Sequence, residues 1–380
     1  MFKRFMPPAR VATALAAIIF VAALSACSSK PERPKPAELA PNAALLGVRL
    51  AWTARLGDVN FPLQAQVNGT SVTLAGSDGT VAAIDAASGR DLWRGSVGAP
   101  IAAGVGSDGQ RAAVVTTSND LVVLSAGKEL WRHRMPAQVY TAPLVAGARV
   151  FVLAADRSVT AFDGQTGRRL WSQQRPGEPL VLRQAGVLLA VGNTLVAGMA
   201  GRLVGINPDD GNVRWEAPIA AARGTNDVER LVDLVGPVSR QGSIICARAF
   251  QTAIGCVDAA DGTLRWSKPA NGATGLAGDG QQLYGAEADG QVMAWRADTG
   301  ERAWQTERLK WRQLTGPLVL GRSVVVGDST GLVHLLSRQD GSALDRFATD
   351  GSGIAATPVA AGNTLVVVTR SGGVYGYRPQ

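Results

Sequence analysis

Three sets of side chains in this 380-residue chain could do chemistry: a carboxylate recurring at fixed spacing, two histidines and three cysteines. The recurring set reads Asp or Asn, then Gly four residues on, then Trp four beyond that. It occurs as Asp85-Gly89-Trp93, Asp163-Gly167-Trp171, Asn207-Gly211-Trp215 and Asp258-Gly262-Trp266. Arg296-Gly300-Trp304 keeps the spacing without the acid, the run Ser125, Gly127, Trp131 is shortened, and Ser337-Gly341 leads to Asp345 where Trp is expected. Repeated carboxylates could be metal ligands or acid–base groups. Their phase argues for turns instead, where Asp and Asn bond nearby N–H groups, Gly takes a left-handed conformation and Trp buries a large ring. His133 and His334 have no metal-ligand spacing with Cys or with each other, and each reads as a satisfied structural histidine. The chain carries no nucleophile elbow, phosphate loop, CxxCH haem site or calcium loop, and Asp209-Asp210-Gly211 reads as a turn. No catalytic residue, metal site or cofactor is expected.

The elements that carry this set announce themselves by turns. Asp78-Gly79, Asn119-Asp120, Asp156-Arg157, Ala200-Gly201, Gln251-Thr252, Asp289-Gly290, Thr330-Gly331 and Gly372-Gly373 have second members 41, 37, 44, 51, 38, 41 and 42 residues apart. Each is flanked by apolar, β-branched runs such as Ser71–Leu74 and Val81–Ile84, which is hairpin chemistry. A period of this length with several strands and no helix predicts an all-β, eight-bladed β-propeller of four-stranded antiparallel blades. The eighth unit ends at Gln380 before a Trp can occur, while Trp52 stands near the start with no hairpin before it. The residues around Leu50–Thr53 are therefore expected to supply the outer strand of the last blade, closing the ring and leaving no open seam. Trp52, Trp93, Trp131, Trp171, Trp215, Trp266 and Trp304 are assigned to the structural repeat.

The first 26 residues read as a signal peptide: Lys3, Arg4 and Arg10 precede an apolar stretch from Val11 to Ala26, 16 residues and too short to span a bilayer comfortably. Leu24-Ser25-Ala26-Cys27 resembles a bacterial lipobox, which makes Cys27 the lipidated first residue of the mature chain. Ser28 in place of Asp at the next position implies the outer membrane of a Gram-negative cell, with the protein held on the periplasmic face. Residues 27–45 contain Pro31, Pro34, Pro36 and Pro41 and read as an extended tether ahead of a propeller over 46–380. The net charge of +8 includes three leader cations, so the mature chain carries 8 − 3 = +5, with no nucleic-acid-type basic run. A nucleic-acid partner is not expected. Cys246 and Cys256 flank one predicted hairpin; a cross-strand disulfide and two buried free thiols both fit, because a one-residue slip moves one sulfur to the other face.

The runs Ala83–Trp93 and Ala161–Trp171 resemble the repeat of the pyrroloquinoline-quinone enzyme family. One branch, the quinoprotein dehydrogenases, binds the quinone and Ca²⁺ at the propeller centre and usually carries adjacent cysteines, which this shorter chain lacks; that reading stays as the alternative. The other branch is the family of the outer-membrane lipoprotein BamB, and the similarity extends from the lipobox to the last strand. Pro179-Leu180-Val181-Leu182-Arg183 resembles its Leu-x-Leu-Arg segment, and Gly224–Asp233, ending Arg230-Leu231-Val232-Asp233, resembles its Arg-Leu-x-Asp segment. The resemblance implies a non-enzymatic scaffold in which Leu180, Leu182, Arg183, Arg230, Leu231 and Asp233 contact the periplasmic domains of a BamA-like barrel subunit, with unfolded outer-membrane proteins as clients. The family pattern continues Asp-x-Asp, whereas Val235 follows Asp233-Leu234 here. Read from the residues alone, Leu180 and Leu182 would be core positions of the fourth blade's inner strand and Asp233 a turn residue; the resemblance favours the contact surface. A glycan-binding propeller would need an aromatic groove, for which only Trp295 and Trp311 lie outside the repeat.

Overall fold

Two properties of the sequence decide the strands. The second and third strands of most blades are runs rich in small and aliphatic residues, buried on both faces, as in Val72–Ala75 and Val81–Ile84. Such strands must be covered on either side by another sheet. Outer strands instead alternate, and Asp91–Ser96 presents every second residue to solvent. The computed structural model describes residue 1 and residues 34–176, 180–227 and 229–380; the leader, Cys27 and Pro179 lie outside them.

Among the described residues there are eight four-stranded antiparallel sheets. Seven are consecutive in sequence, blades 1 to 7, covering 66–96, 101–134, 144–174, 188–218, 234–269, 276–306 and 318–348. Blade 8 takes three strands from 359–379, and its fourth is Val48–Arg55. That strand pairs antiparallel with Gly373–Pro379, setting Trp52 opposite Gly376, and the Gln380 N–H donates to the Gly47 carbonyl at 2.7 Å. The chain ends close the ring, as the displaced Trp52 predicts.

The Asp-Gly-Trp repeat is the joint between blades. Trp52, Trp131, Trp171, Trp215, Trp266 and Trp304 each donate Nε1–H to a backbone carbonyl in the next blade's outer turn: Ala86, Gly164, Pro208, Ala259, Ala297 and Arg338, at 2.8–3.1 Å. Trp93 faces the blade whose turn is cut to Ala126-Gly127, both at positive φ. The residue directly across the ladder from each Trp is small: Ala83, Val123, Ala161, Gly205, Cys256, Ala294 and Gly376. The turn glycine has two reasons to be glycine. Gly262 sits at φ 80°, and a Cβ there would lie 2.6 Å from the Trp215 Cβ. The Asp folds its own turn: Asp163 Oδ1 accepts from the Thr166 N–H at 2.7 Å.

Cys246 and Cys256 lie directly opposite one another in blade 5, with Cα atoms 4.0 Å apart, and are joined by a disulfide. Residues 37–45 run from the connection between blades 6 and 7 onto the outer edge of blade 7. The Ala37 N–H donates to Lys310 O and the Leu45 N–H to Leu344 O, while Asn42 Nδ2 donates to Asp345 Oδ1 and to Arg346 O, both at 2.9 Å. Within the stretch expected as a tether, the propeller thus takes hold of the chain at Ala37.

Candidate functional site

The connections from one blade's outer strand to the next blade's inner strand differ in length. The two longest are 175–187, between blades 3 and 4, and 219–233, between blades 4 and 5. They hold the two segments singled out in the sequence, and the fold makes them neighbours. Asp233 is the last residue before blade 5's inner strand, which begins at Leu234. Its Oδ2 accepts the Leu182 backbone N–H at 2.8 Å across 51 positions, and its own carbonyl accepts the Phe250 N–H from blade 5's hairpin at 3.0 Å.

Leu180 and Leu182 precede blade 4's inner strand, which starts at Leu188, so they are loop residues and not strand core. Leu180 is 40% exposed and Arg183 is exposed, whereas Leu182 is half-buried and lines a small cavity of about 60 Å³ with Tyr140, Arg157, Met199 and Asp233. Asp233 is not an open acidic contact. Burial pushes its carboxyl above the ordinary carboxylate value, opposed by the Leu182 N–H and by the positive charge of Arg157. Arg230 and Leu231 are half-buried, and the Arg230 N–H donates to the Asn226 carbonyl at 3.1 Å. The second segment is tied to itself: Asn226 Oδ1 accepts the Glu229 N–H and Glu229 Oε2 the Thr225 N–H, each at 2.9 Å. The arrangement offers one exposed leucine and one exposed arginine from a loop braced underneath, which suits protein recognition: an apolar anchor beside a charge.

Two contributors escaped the sequence reading. Arg157 occupies blade 3's hairpin at φ 61°, where Gly79, Gly201, Gly290 and Gly331 stand in other blades, and its residue is only 7% exposed. A long cation in place of glycine was the available signal. Thr141 Oγ1 accepts the Gly186 N–H at 3.1 Å and anchors the far end of the first segment; nothing in its neighbourhood in sequence marks it.

Elsewhere the chemistry-bearing residues are structural. His334 is buried against Asp328 (Nε2–Oδ2 2.9 Å), which also takes Arg312 Nε at 2.7 Å. Burial drives the His334 pKa down, outweighing its bond to Asp328. Burial would raise Asp328, but hydrogen bonds from His334, the Leu332 N–H, Arg312 and Thr330 hold it well below the usual carboxylate range. The His133 ring packs 4.8 Å from Phe162. Trp295 is buried under the Arg248 guanidinium at 5.6 Å, and Arg248 pairs with Glu287 at 2.8 Å, so Trp295 lines no groove; Trp311 is exposed. Among the described residues no group of three or more His, Cys, Asp or Glu could hold a metal ion. A cavity of about 300 Å³ is lined from blades 1, 4, 5 and 8 and so lies on the ring's axis. Its walls, including Gln64, Gln66, Pro237, Val238 and Thr357, are neutral throughout. Without a charged side chain that lining does not fit an anionic quinone with a divalent cation.

Fold and site together define an eight-bladed propeller in which the two longest interblade loops meet. A family model described as outer membrane protein assembly factor BamB matches residues 77–306. The chain is 39% identical to the BamB of Burkholderia pseudomallei over the full length of both, and 38% identical to that of Bordetella pertussis over 96% of this chain and 95% of the relative. The crystal structure of BamB from Moraxella catarrhalis superposes with a TM-score of 0.80 at 23% identity, covering 87% of this chain and 99% of that one. A quinohemoprotein alcohol dehydrogenase from Pseudomonas putida HK5 reaches 0.70 at 15% identity, covering 88% and 77%, a likeness of fold alone. The chain belongs to the BamB family of outer membrane protein assembly factors.

Proposed function

We infer that this protein is a non-enzymatic scaffold of the outer-membrane β-barrel assembly machinery, lipid-anchored through Cys27 on the periplasmic face. It binds the periplasmic domains of a BamA-like barrel subunit and assists folding and insertion of outer-membrane β-barrel proteins. The observation that carries this reading is the convergence of the two longest interblade loops, with Leu180 and Arg183 exposed on a backbone fixed by Asp233. A rigid ring presenting a braced loop adds little ordering entropy to the cost of association, which is what a scaffold contact needs. Full-length family relatives named as assembly factors support it.

The test is capture of the barrel subunit's soluble periplasmic domains by the folded propeller. Arg183→Glu and Leu180→Ala should each weaken capture by about tenfold or more, the size of a hot-spot loss, while the melting temperature stays unchanged. Wild-type capture by the folded double variant would refute the assignment.

A further inference from the structure

Arg157 belongs to blade 3, yet its charge acts on Asp233, at the start of blade 5, which in turn holds a backbone N–H in the loop entering blade 4. All three line the same small cavity. The position itself is expensive. Arg157 adopts φ 61° in a two-residue turn that the Ala154 carbonyl closes by accepting the Arg157 N–H at 3.0 Å. A non-glycine residue is disfavoured in that conformation, and a buried guanidinium carries a desolvation cost as well. The turn alone requires neither.

We propose that Arg157 is a positioning residue for the interaction surface: through Asp233 it fixes the backbone at Leu182, and so the placement of Leu180 and Arg183, without touching the partner. The proposal rests on the scaffold reading above. Asp233 is then the middle of a chain of contacts and not a contact for the partner, which also accounts for a second acid being dispensable where Val235 stands. Asp233 is half-buried, Val235 is buried, and a carboxylate at 235 would enter the core.

The decisive variant is Arg157→Gly, because glycine suits the positive φ and leaves the hairpin intact while removing the guanidinium. Two quantities are read on the folded full propeller: hydrogen exchange at the Leu182 amide, and capture of the barrel subunit's periplasmic domains. Arg157→Gly and Asp233→Ala should each speed exchange at Leu182 and weaken capture, both by about tenfold, the first by removing the positive charge that acts on the carboxylate and the second by removing the acceptor of the Leu182 N–H. Arg157→Lys should recover part of both. Unchanged exchange at Leu182 in Arg157→Gly overturns the proposal. So does lost capture with exchange unmoved, which would make Arg157 a direct contact. If Arg183→Glu captures normally, the scaffold reading fails instead, and the Leu182 amide alone decides whether Arg157 braces the loop.

Discussion

The junction between blades 4 and 5 and the junction between blades 7 and 8 face the same packing problem and solve it differently. At the first, Trp215 lies across Gly205 and over Gly262, and its Nε1–H reaches the Ala259 carbonyl at 3.1 Å. At the second, the place of the indole is held by Asp345, and the residue across the ladder is Leu335 and not a small one. The cause is topological. Blade 8 has no turn between its third and fourth strands, because Val48–Arg55 pairs with Gly373–Pro379 from the far part of the sequence. At six junctions the indole has a receiving turn with a carbonyl and a glycine to lie on; without the turn it would expose an apolar ring and leave its N–H unpaired. Leu335 takes up part of the space, and the segment 37–45 covers the outer edge through Asn42 on Asp345. Wedge and turn therefore behave as one unit.

The strongest way to break the comparison is to remove the strand that makes the closure. Deleting residues 37–55 strips blade 8 of its outer strand and should abolish cooperative thermal unfolding, followed by circular dichroism; a sharp melt near the intact protein's would mean the seam is not structural. Next comes Trp215→Ala, which empties a wedged junction and should cost about 3 kcal/mol in denaturant unfolding, the range for deleting a large packed ring. Asp345→Trp sharpens the point. With no turn to receive it, the new indole should fail to stabilise and should cost about 1 kcal/mol through the lost Asn42 bond. A gain in stability would show that a wedge works without its turn.

The smallest effect is a pH dependence confined to the seam side. His334 has its pKa depressed by burial, with Asp328, Arg312 and Arg346 as the charged groups acting on it. The unfolded chain takes up a proton near the ordinary value of 6.5 while the folded state resists it. Stability should therefore be full above that pH and decline as pH falls below it. Through Asp328 and Arg312, whose Nη1 donates to the Ala37 carbonyl at 3.1 Å, the loss should loosen residues 37–45 first. Hydrogen exchange of the Ala37 amide at pH 5.5 and 7.5 checks this, and His334→Gln should flatten the difference.

Much of this was readable in the residues. Blade number, hairpins and closure followed from turn spacing and from the misplaced Trp52, because strand pairing between neighbours in sequence is set by local turn chemistry. The site was legible only in part. Its two segments could be picked out by resemblance and loop length, but the residues alone made Leu180 and Leu182 strand core and Asp233 a turn. Exposure of Leu180 and partial burial of Asp233 depend on how three blades abut, which no local pattern encodes. The Cys246–Cys256 bond was equally undecided until the register put the two residues opposite each other.

By itself the sequence determined the repeated parts: eight hairpin units, an indole joint for most of them and a strand borrowed from the other terminus. Those features rest on backbone conformations and side-chain periods that act within about forty residues, as the turn spacing shows. Only the tertiary structure decided the singular parts: the bond from Leu182 to Asp233, the buried Arg157 behind it, and the course of 37–45 onto blade 7. Each joins residues from different blades or distant stretches of chain, so its energy exists only once the ring has closed and brought them together.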